Sequence, residues 1–334
     1  MRPIRFILFV LVVAVLVFTL TQVPSNFWTR ITATDSPATH LKIRWRAPDT
    51  TSIPQTPEGE LIRYGRKLVA NTAYYLGPNG SVGNICNAMN CQNCHIDAGA
   101  KPYGNSFFGV AAIYPVFRPR SGVVESIEFR INDCLQRSMN GHTMDTTMRE
   151  MRAMVAYLKW IGKDVPKGTK PEGTGTVDLH YLERPSDTLK GKLVYENKCK
   201  LCHGKNGQGI RKPKGEGFVY PPLWGPESYT TGAGLFRLSR FAGFVRFSMP
   251  FGAEYDKPQL TDEEAWDLAA FVNSQSRPKK SFSADWPDLR RKAIDYPYGP
   301  YADGFSEMDH KYGPFGPIKL VQDSLLRQKI NAGK

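Results

Sequence analysis

Two short segments of this chain place two thiols and an imidazole at one fixed spacing: Cys91-Gln-Asn-Cys94-His95 and Cys199-Lys-Leu-Cys202-His203. Cysteines three apart can add across the two vinyl groups of a haem, and the histidine that follows directly can reach its iron. A zinc ribbon and a thioredoxin-like redox pair are the rival uses of Cys-x-x-Cys. Here both pairs carry the histidine, and neither sits in a βαβ pattern. Cys94 and Cys199 are also too far apart to close a zinc knuckle. The spacing predicts a c-type cytochrome with two covalently bound haem c groups, His95 and His203 being the proximal iron ligands.

The second axial ligand sets what such a haem does. Met249 lies after the second motif and directly before Pro250. A thioether from a loop of this kind is a soft neutral ligand that raises the reduction potential; the competing role is core packing. After the first motif, Cys134 falls about where a distal ligand belongs. Spacing of four puts Arg130, Cys134 and Ser138 on one stripe of a helix. A guanidinium beside a thiol favours the thiolate, and a thiolate on iron lowers the potential. Arg118 and Arg120 lie shortly upstream and can reach the same space. The residues leave alternatives open: Cys134 as a small buried hydrophobe or as a disulfide partner of Cys86, Arg130 as a solvated surface residue, and Met139, Met144, Met148 or His142 as the ligand.

The elements that must position these groups follow from periodicity. Residues 58–76 read as a helix, with Glu58 and Glu60 in the first turn, Leu61, Tyr64, Leu68 and Val69 at helical spacing, and Gly77-Pro78 as the stop. Further helices are expected at about 123–139 and 146–160. Residues 162–187, which contain Gly162, Pro166, Gly168, Pro171, Gly173 and Gly175, mark a linker. A helix at about 189–197 then leads into the second motif, and a loop-rich stretch ends at Ser248-Met249-Pro250. Thr261-Asp-Glu-Glu264 is a capping-box pattern that opens a last helix over 261–275. Helix, CxxCH, loop, distal ligand and final helix thus occur twice. The expected fold is mainly α, with two class I cytochrome c-like domains in tandem, extended loops and a C-terminal strap. The divisions are 24–57 for an extended stalk, 58–163 for a catalytic cytochrome c domain, 164–187 for the linker, 188–278 for an electron-transfer cytochrome c domain and 279–334 for the strap.

Residues 1–23 read as a signal peptide or an N-terminal membrane anchor. Arg2 and Arg5 precede an apolar run from Phe6 to Leu20 that is short for a full span. A periplasmic location follows, with the basic end left in the cytoplasm. Cleavage and retention both remain open. The formal net charge is +13 over 334 residues. A basic balance fits nucleic acid, an anionic surface or anionic substrates. No nucleic-acid motif is present, and the basic residues are spread along the chain.

Several segments together resemble the dihaem thiosulfate dehydrogenases. They are Gly59-Glu-Leu-Ile-Arg-Tyr-Gly65, Cys94-His-Ile-Asp-Ala-Gly99, Arg120-Ser-Gly122, Arg130-Ile-Asn-Asp-Cys134, Arg137-Ser-Met-Asn-Gly141, Asp295-Tyr-Pro-Tyr-Gly-Pro-Tyr-Ala-Asp303 and His310-Lys-Tyr-Gly-Pro-Phe315. They run from about residue 58 to 318. The resemblance implies that Cys134 ligates the active-site haem, that Arg120, Arg130 and Ser138 line the substrate pocket, and that Met249 ligates the second haem. It also implies thiosulfate and tetrathionate as substrate and product, with an external electron acceptor such as a soluble or membrane cytochrome. Some members of that family carry Lys beside the methionine and exchange ligands there. Ser248 takes that place here, and Cys86 is an extra thiol without an assigned role. Two other readings stand beside this one: a dihaem electron carrier with no substrate of its own, and a relative of the sulfur-oxidation (Sox) cytochromes. Cysteine ligation with converging arginines favours the enzyme; Met or His on the first haem favours the carrier.

Overall fold

A computed structural model describes residues 45–213 and 217–332. The expected leader over 1–23 and most of the expected stalk lie outside these residues. The first domain opens on α1 (Pro57–Ala70) and the short α2 (Thr72–Leu76). Thr56 caps α1 by accepting from the Gly59 N–H at 3.2 Å, and Pro57 sits in the first turn, where no intrahelical donor is needed. The element α3 (Val110–Ile113) and a two-stranded ribbon, β1 (Val116–Arg118) and β2 (Val123–Glu125), follow the first CxxCH. Then come α4 (Ile127–Arg137) and α5 (Arg149–Ile161).

The helix expected from about 123 begins later. Val123–Glu125 pairs antiparallel with Val116–Arg118, and Ser126 accepts from the Phe129 N–H at 3.2 Å to open α4. Two β-branched residues next to a good N-cap favour strand followed by helix over one longer helix.

The second domain runs α6 (Thr188–Lys198), α7 (Lys200–His203), a ribbon of β3 (Ile210–Arg211) and β4 (Phe218–Tyr220), α8 (Leu238–Ser248) and α9 (Asp262–Ser274). The capping box of α9 forms as read. Glu264 N–H donates to Thr261 Oγ1 at 3.1 Å, and Thr261 N–H donates to Glu264 Oε2 at 2.9 Å. The stretch expected to be loop-rich contains α8, whose Leu238, Phe241, Ala242, Phe244 and Val245 are buried in the second core.

Each domain crosses its first and last helices at a glycine. A Cβ on Gly65 of α1 would lie 1.9 Å from the Ala153 carbonyl oxygen of α5. A Cβ on Gly191 of α6 would lie 1.9 Å from the Asp267 carbonyl oxygen of α9. The two halves share little sequence, yet the same close approach builds the same helix pair in both. The first core gathers Leu68, Leu76, Leu135, Met151, Tyr157 and Ile161; the second gathers Tyr195, Phe241, Val245, Trp266 and Leu268.

The connecting segment is docked rather than free. Gly173 accepts from the Tyr103 N–H at 2.8 Å and from the Ser106 hydroxyl at 2.7 Å, while His180 accepts from the Trp266 indole at 2.9 Å. The C-terminal segment departs from an extended strap. After an irregular run it forms α10 (Glu307–Tyr312) and α11 (Phe315–Ala332). Phe315 and Ile318 are buried in the second core, and Pro317 falls in the first turn of α11, where a helix tolerates it.

Candidate active site

The first motif turns tightly. Asn90 and Asn93 cap each other across the Cys91–Asn93 turn, and Thr72 Oγ1 accepts from the Cys91 N–H at 3.0 Å. His95 Nδ1 lies 2.6 Å from the Asn105 carbonyl oxygen. The N–H is therefore on Nδ1, and the Nε2 lone pair is free for a metal. The ring stacks on Phe107 at 4.1 Å. Burial lowers the His95 pKa to about 4, against the Asn105 hydrogen bond and with added repulsion from Arg130. A neutral imidazole is the ligand form.

The second motif repeats this arrangement. His203 Nδ1 lies 2.8 Å from the Pro221 carbonyl oxygen, and burial lowers its pKa as well. All six cysteines are free thiols. Two thiols and an imidazole with its Nε2 unengaged fit haem c attachment at both motifs.

Cys134 sits on α4 facing the first attachment cysteines. Burial raises the Cys91 pKa to about 11 and the Cys94 pKa to about 12, and Cys134 adds to both. The charge of Cys134 is also the largest influence raising the Arg130 pKa. The expected stripe thus places Arg130 and Cys134 in one electrostatic pocket, with Tyr114 within its reach. Ser138 is the C-cap of α4, and its N–H donates to the Cys134 carbonyl at 2.8 Å.

One carboxylate organises the arginines. Asp133 pairs with Arg120, Arg130 and Arg137. Burial works to raise the Asp133 pKa, but the three guanidiniums outweigh it and hold it below its ordinary value. Arg137 also donates both Nη groups to Asp285, at 2.7 and 2.6 Å, and lies 3.5 Å over the Phe282 ring. The Trp286 N–H donates to the Arg120 carbonyl at 2.6 Å. The C-terminal strap therefore roofs the arginine cluster. Asp133, Arg137 and Asp285 were absent from the sequence-derived site. Helical spacing from Arg130 was a usable signal for the first two; Asp285 had none.

The other candidate ligands of the first domain have different surroundings. His142 is exposed, with its ring nitrogens 3.1 Å from the Thr143 carbonyl and 3.0 Å from the Asn84 carbonyl. Met139 and Met144 are buried in the first core, and Met148 packs against it from the N-cap of α5. Cys86 is buried, and its thiol donates to the Leu76 carbonyl at 3.4 Å, so the Cys86–Cys134 disulfide is not formed. In the second domain Met249 follows α8, half-buried against the second core, with its N–H on the Val245 carbonyl at 3.1 Å. Its loop meets the first domain: Tyr255 stacks on Tyr103 at 3.9 Å, and Lys101 Nζ donates to the Ala253 carbonyl at 2.8 Å.

Comparison with known proteins places these elements in a family. Residues 85–166 match the SoxA/TsdA cytochrome c domain, and residues 189–276 match the Cytochrome c domain. The chain carries haem c-type domains in tandem, and it is mainly helical. It is 35 % identical over 244 residues to the thiosulfate dehydrogenase of Psychrobacter arcticus, covering 73 % of this chain and 72 % of that protein. It is 36 % identical to the thiosulfate dehydrogenase of Allochromatium vinosum, covering 69 % of this chain and 83 % of that one. The solved thiosulfate dehydrogenase TsdBA of Marichromatium purpuratum superposes with a TM-score of 0.67 at 30 % identity, over 77 % of this chain. The match spans only about half of that longer protein, 54 % of its length. With most of the chain aligned at this level of identity, the protein belongs to the thiosulfate dehydrogenase family.

Proposed function

We propose that the chain joins two thiosulfate ions into tetrathionate with release of two electrons, and that the reverse reduction is open to it. The carrying observation is the convergence of Arg120, Arg130 and Arg137 beside Cys134, within reach of the first attachment cysteines. Two dianions repel strongly in a partly desolvated cleft. Guanidiniums offset that repulsion and match sulfonate oxygens with paired N–H donors. Arg120 and Arg130 bind the sulfonate groups, while Asp133 keeps both guanidiniums in place between turnovers.

Cys134 acts as the nucleophile. Its thiolate bonds to the sulfane sulfur of one thiosulfate as two electrons leave, giving a Cys–S–S–sulfonate. The second thiosulfate attacks that same sulfane sulfur. Tetrathionate forms and the Cys134 thiolate is released, so charge and sulfur balance. Ser138, at the end of α4, supplies a hydroxyl to the same pocket. Haem c, when bound, supplies the one-electron acceptors for the two electrons. Cys91, Cys94 and His95, with Cys134, would hold one such group, and Cys199, Cys202 and His203, with Met249, would hold a second. An external acceptor such as a soluble or membrane cytochrome then takes the electrons. The apolar leader over 1–23 supports export to the periplasm, where c-type attachment and thiosulfate meet.

The test is the purified holoprotein. Mass spectrometry of the denatured chain is expected to show two added haem groups. Thiosulfate is expected to reduce the haem absorbance, and tetrathionate to reoxidise it. A chain that keeps two haems yet gives no absorbance change with either anion returns the protein to the electron-carrier reading.

A further inference from the structure

The loop that carries Met249 is held at its tip by the first domain. Within the loop, the Ala253 N–H donates to the Pro250 carbonyl at 2.9 Å and the Lys257 N–H to the Glu254 carbonyl at 3.0 Å. Its own domain adds the Gln259 amide, which donates to the Phe251 carbonyl at 3.3 Å, and the Phe247 ring, 4.9 Å from that of Tyr255. Phe251, two residues past Met249, is 91 % exposed. Closer contacts come from the other domain. Lys101 Nζ donates to the Ala253 carbonyl at 2.8 Å, and Tyr103 stacks on Tyr255 at 3.9 Å with the rings 16° from parallel. Ala253 is fully buried there. Burial lowers the Lys101 pKa against the attraction of Glu254, so an ammonium has been drawn partly out of water to make this contact.

Lys101 and Tyr103 belong to the loop that seats the first imidazole. Asn105, two residues past Tyr103, is the residue whose carbonyl lies 2.6 Å from His95 Nδ1. The loop closes on itself. Ile96 N–H donates to the Gly104 carbonyl at 3.0 Å, Lys101 N–H to the Ile96 carbonyl at 3.2 Å and Gly104 N–H to the Lys101 carbonyl at 3.1 Å. Tyr103 and Asn105 hold φ of 60° and 57°. A tyrosine rests in that left-handed region only where surrounding contacts over-determine it. Here the Tyr103 N–H donates to the Gly173 carbonyl at 2.8 Å and its hydroxyl to Glu172 Oε1 at 2.6 Å. A fixed loop of one domain thus meets the loop that presents Met249 in the other.

We propose that Lys101 and Tyr103 are positioning residues for Met249: the first domain holds the second domain's loop in the conformation that presents the thioether, so distal ligation in the second domain depends on the contact between the two. Ordering a loop costs conformational entropy for every residue fixed. Gln259 and Phe247 offset part of that cost, and the Lys101 ammonium and the Tyr103 ring offset more. A soft neutral ligand favours ferrous iron, so the hold on the thioether is tested hardest in the ferric state. The inference rests on the reading of Met249 as the distal ligand of the haem c attached at Cys199 and Cys202.

The experiment is an imidazole titration of the ferric holoprotein, followed by absorbance, with Lys101→Met, Lys101→Arg and Tyr103→Leu compared with the wild type. Imidazole must displace the thioether, so its apparent affinity reports how firmly the loop holds Met249. The second haem is identified by the spectral feature that Met249→Gly removes. If Met249→Gly removes none, the ligand reading falls, and the proposal with it. With that feature assigned, Lys101→Met is expected to bind imidazole at the second haem about tenfold more tightly, the effect of losing one charge-assisted hydrogen bond. Tyr103→Leu is expected to shift the affinity in the same direction. Lys101→Arg, which keeps a cationic donor, is expected to stay near the wild type. The first haem is expected to titrate alike in the Lys101 variants and the wild type. Unchanged affinity at the second haem in either Lys101→Met or Tyr103→Leu overturns the proposal. So does an equal change at both haems in Lys101→Met, which would mark a general loosening of the fold. If Lys101→Met does not accumulate, Lys101→Gln carries the same expectation.

Discussion

Asp285 grips Arg137 through both carboxylate oxygens, at 2.7 and 2.6 Å, and both side chains are more than nine-tenths buried. Arg137 passes the connection on to Asp133 through Nε. The C-terminal strap is thereby chained to the helix that carries Cys134. Breaking a buried pair by removing one partner typically costs about 3–5 kcal/mol, because the other charge is left without compensation. Asp285→Ala is expected to lose about that much stability in denaturant unfolding of the holoprotein, with both haems still attached. A loss below about 1 kcal/mol, the range of exposed pairs, would mean that the bridge is solvated and the strap is held elsewhere.

Arg120 and Arg130 meet Asp133 in the structure and thiosulfate in the proposed reaction, so their effect belongs in kinetics. Losing one charge-assisted hydrogen-bond partner costs about 1.5–3 kcal/mol, or roughly a tenfold to 150-fold loss in kcat/KM. Arg120→Gln and Arg130→Gln are each expected to fall in that range with haem content unchanged. Steady-state rates near those of the wild type in both variants would move the anion pocket to another part of the surface.

Acid sensitivity is expected from Asp295. Burial would raise its pKa, but Arg237 and the two hydrogen bonds from Ser239 outweigh it, and the pKa lies below 3.8 in the folded chain. A depressed native pKa adds stability that is complete above the unfolded value and is lost as pH falls through the native one. Denaturant unfolding of the wild type is therefore expected to weaken as pH drops below about 4, the ordinary range of an Asp carboxyl. Asp295→Asn is expected to be less stable at neutral pH and to show a flatter acid limb. Parallel acid limbs in the two proteins would assign the acid sensitivity to other carboxylates.

Local chemistry was the legible part of the sequence. The two CxxCH spacings, the Thr261–Glu264 cap and the stripe from Arg130 to Ser138 each depend on residues within a few positions of one another. The ribbon at Val123–Glu125 was read as helix because three residues carry no period, and only pairing with Val116–Arg118 fixes them as strand. Helix α8 was missed because Gly243 and a dense aromatic run hide its period; burial against α9 and the Val177 segment holds it in place. Asp285 was not legible at all. Its partner Arg137 is remote in sequence, and nothing in the strap marks which acid will turn inward.

Met249 is expected to matter to one haem only. It stands at the end of α8, half-buried against the core of the domain that carries the second CxxCH, and a thioether ligand raises the potential of the haem it binds. Met249→Gly is expected to lower the second haem's potential or convert it to a high-spin form, with the first haem's spectrum intact. Unchanged spectra for both would leave Met249 as packing between α8 and the second core.

Cys134 separates the enzyme from the carrier. Its charge is the largest influence raising the Arg130 pKa, and it also reaches Cys91 and Cys94, so a single pocket contains the thiol, the guanidinium and the attachment site. Thioether formation uses only Cys91 and Cys94, so Cys134→Gly is expected to keep both haems and lose turnover. A thiolate ligand gives a low-spin ferric signature unlike that of His/Met, so the wild type is expected to show two dissimilar haems by electron paramagnetic resonance. Cys134→Met is the sharper variant. It keeps a sulfur ligand and raises the potential, but a thioether cannot form and release the sulfane bond. It is expected to be six-coordinate and inactive. Thiosulfate oxidation at the wild-type rate would show that Cys134 neither bonds the sulfane sulfur nor sets the potential. Cys86→Ser provides the control. Cys86 is buried against the Leu76 carbonyl and makes no disulfide, so its replacement is expected to leave spectra and turnover as they were. A Cys86→Ser protein that loses turnover as Cys134→Gly does would instead reveal a bridge between the two thiols and remove Cys134 from the iron.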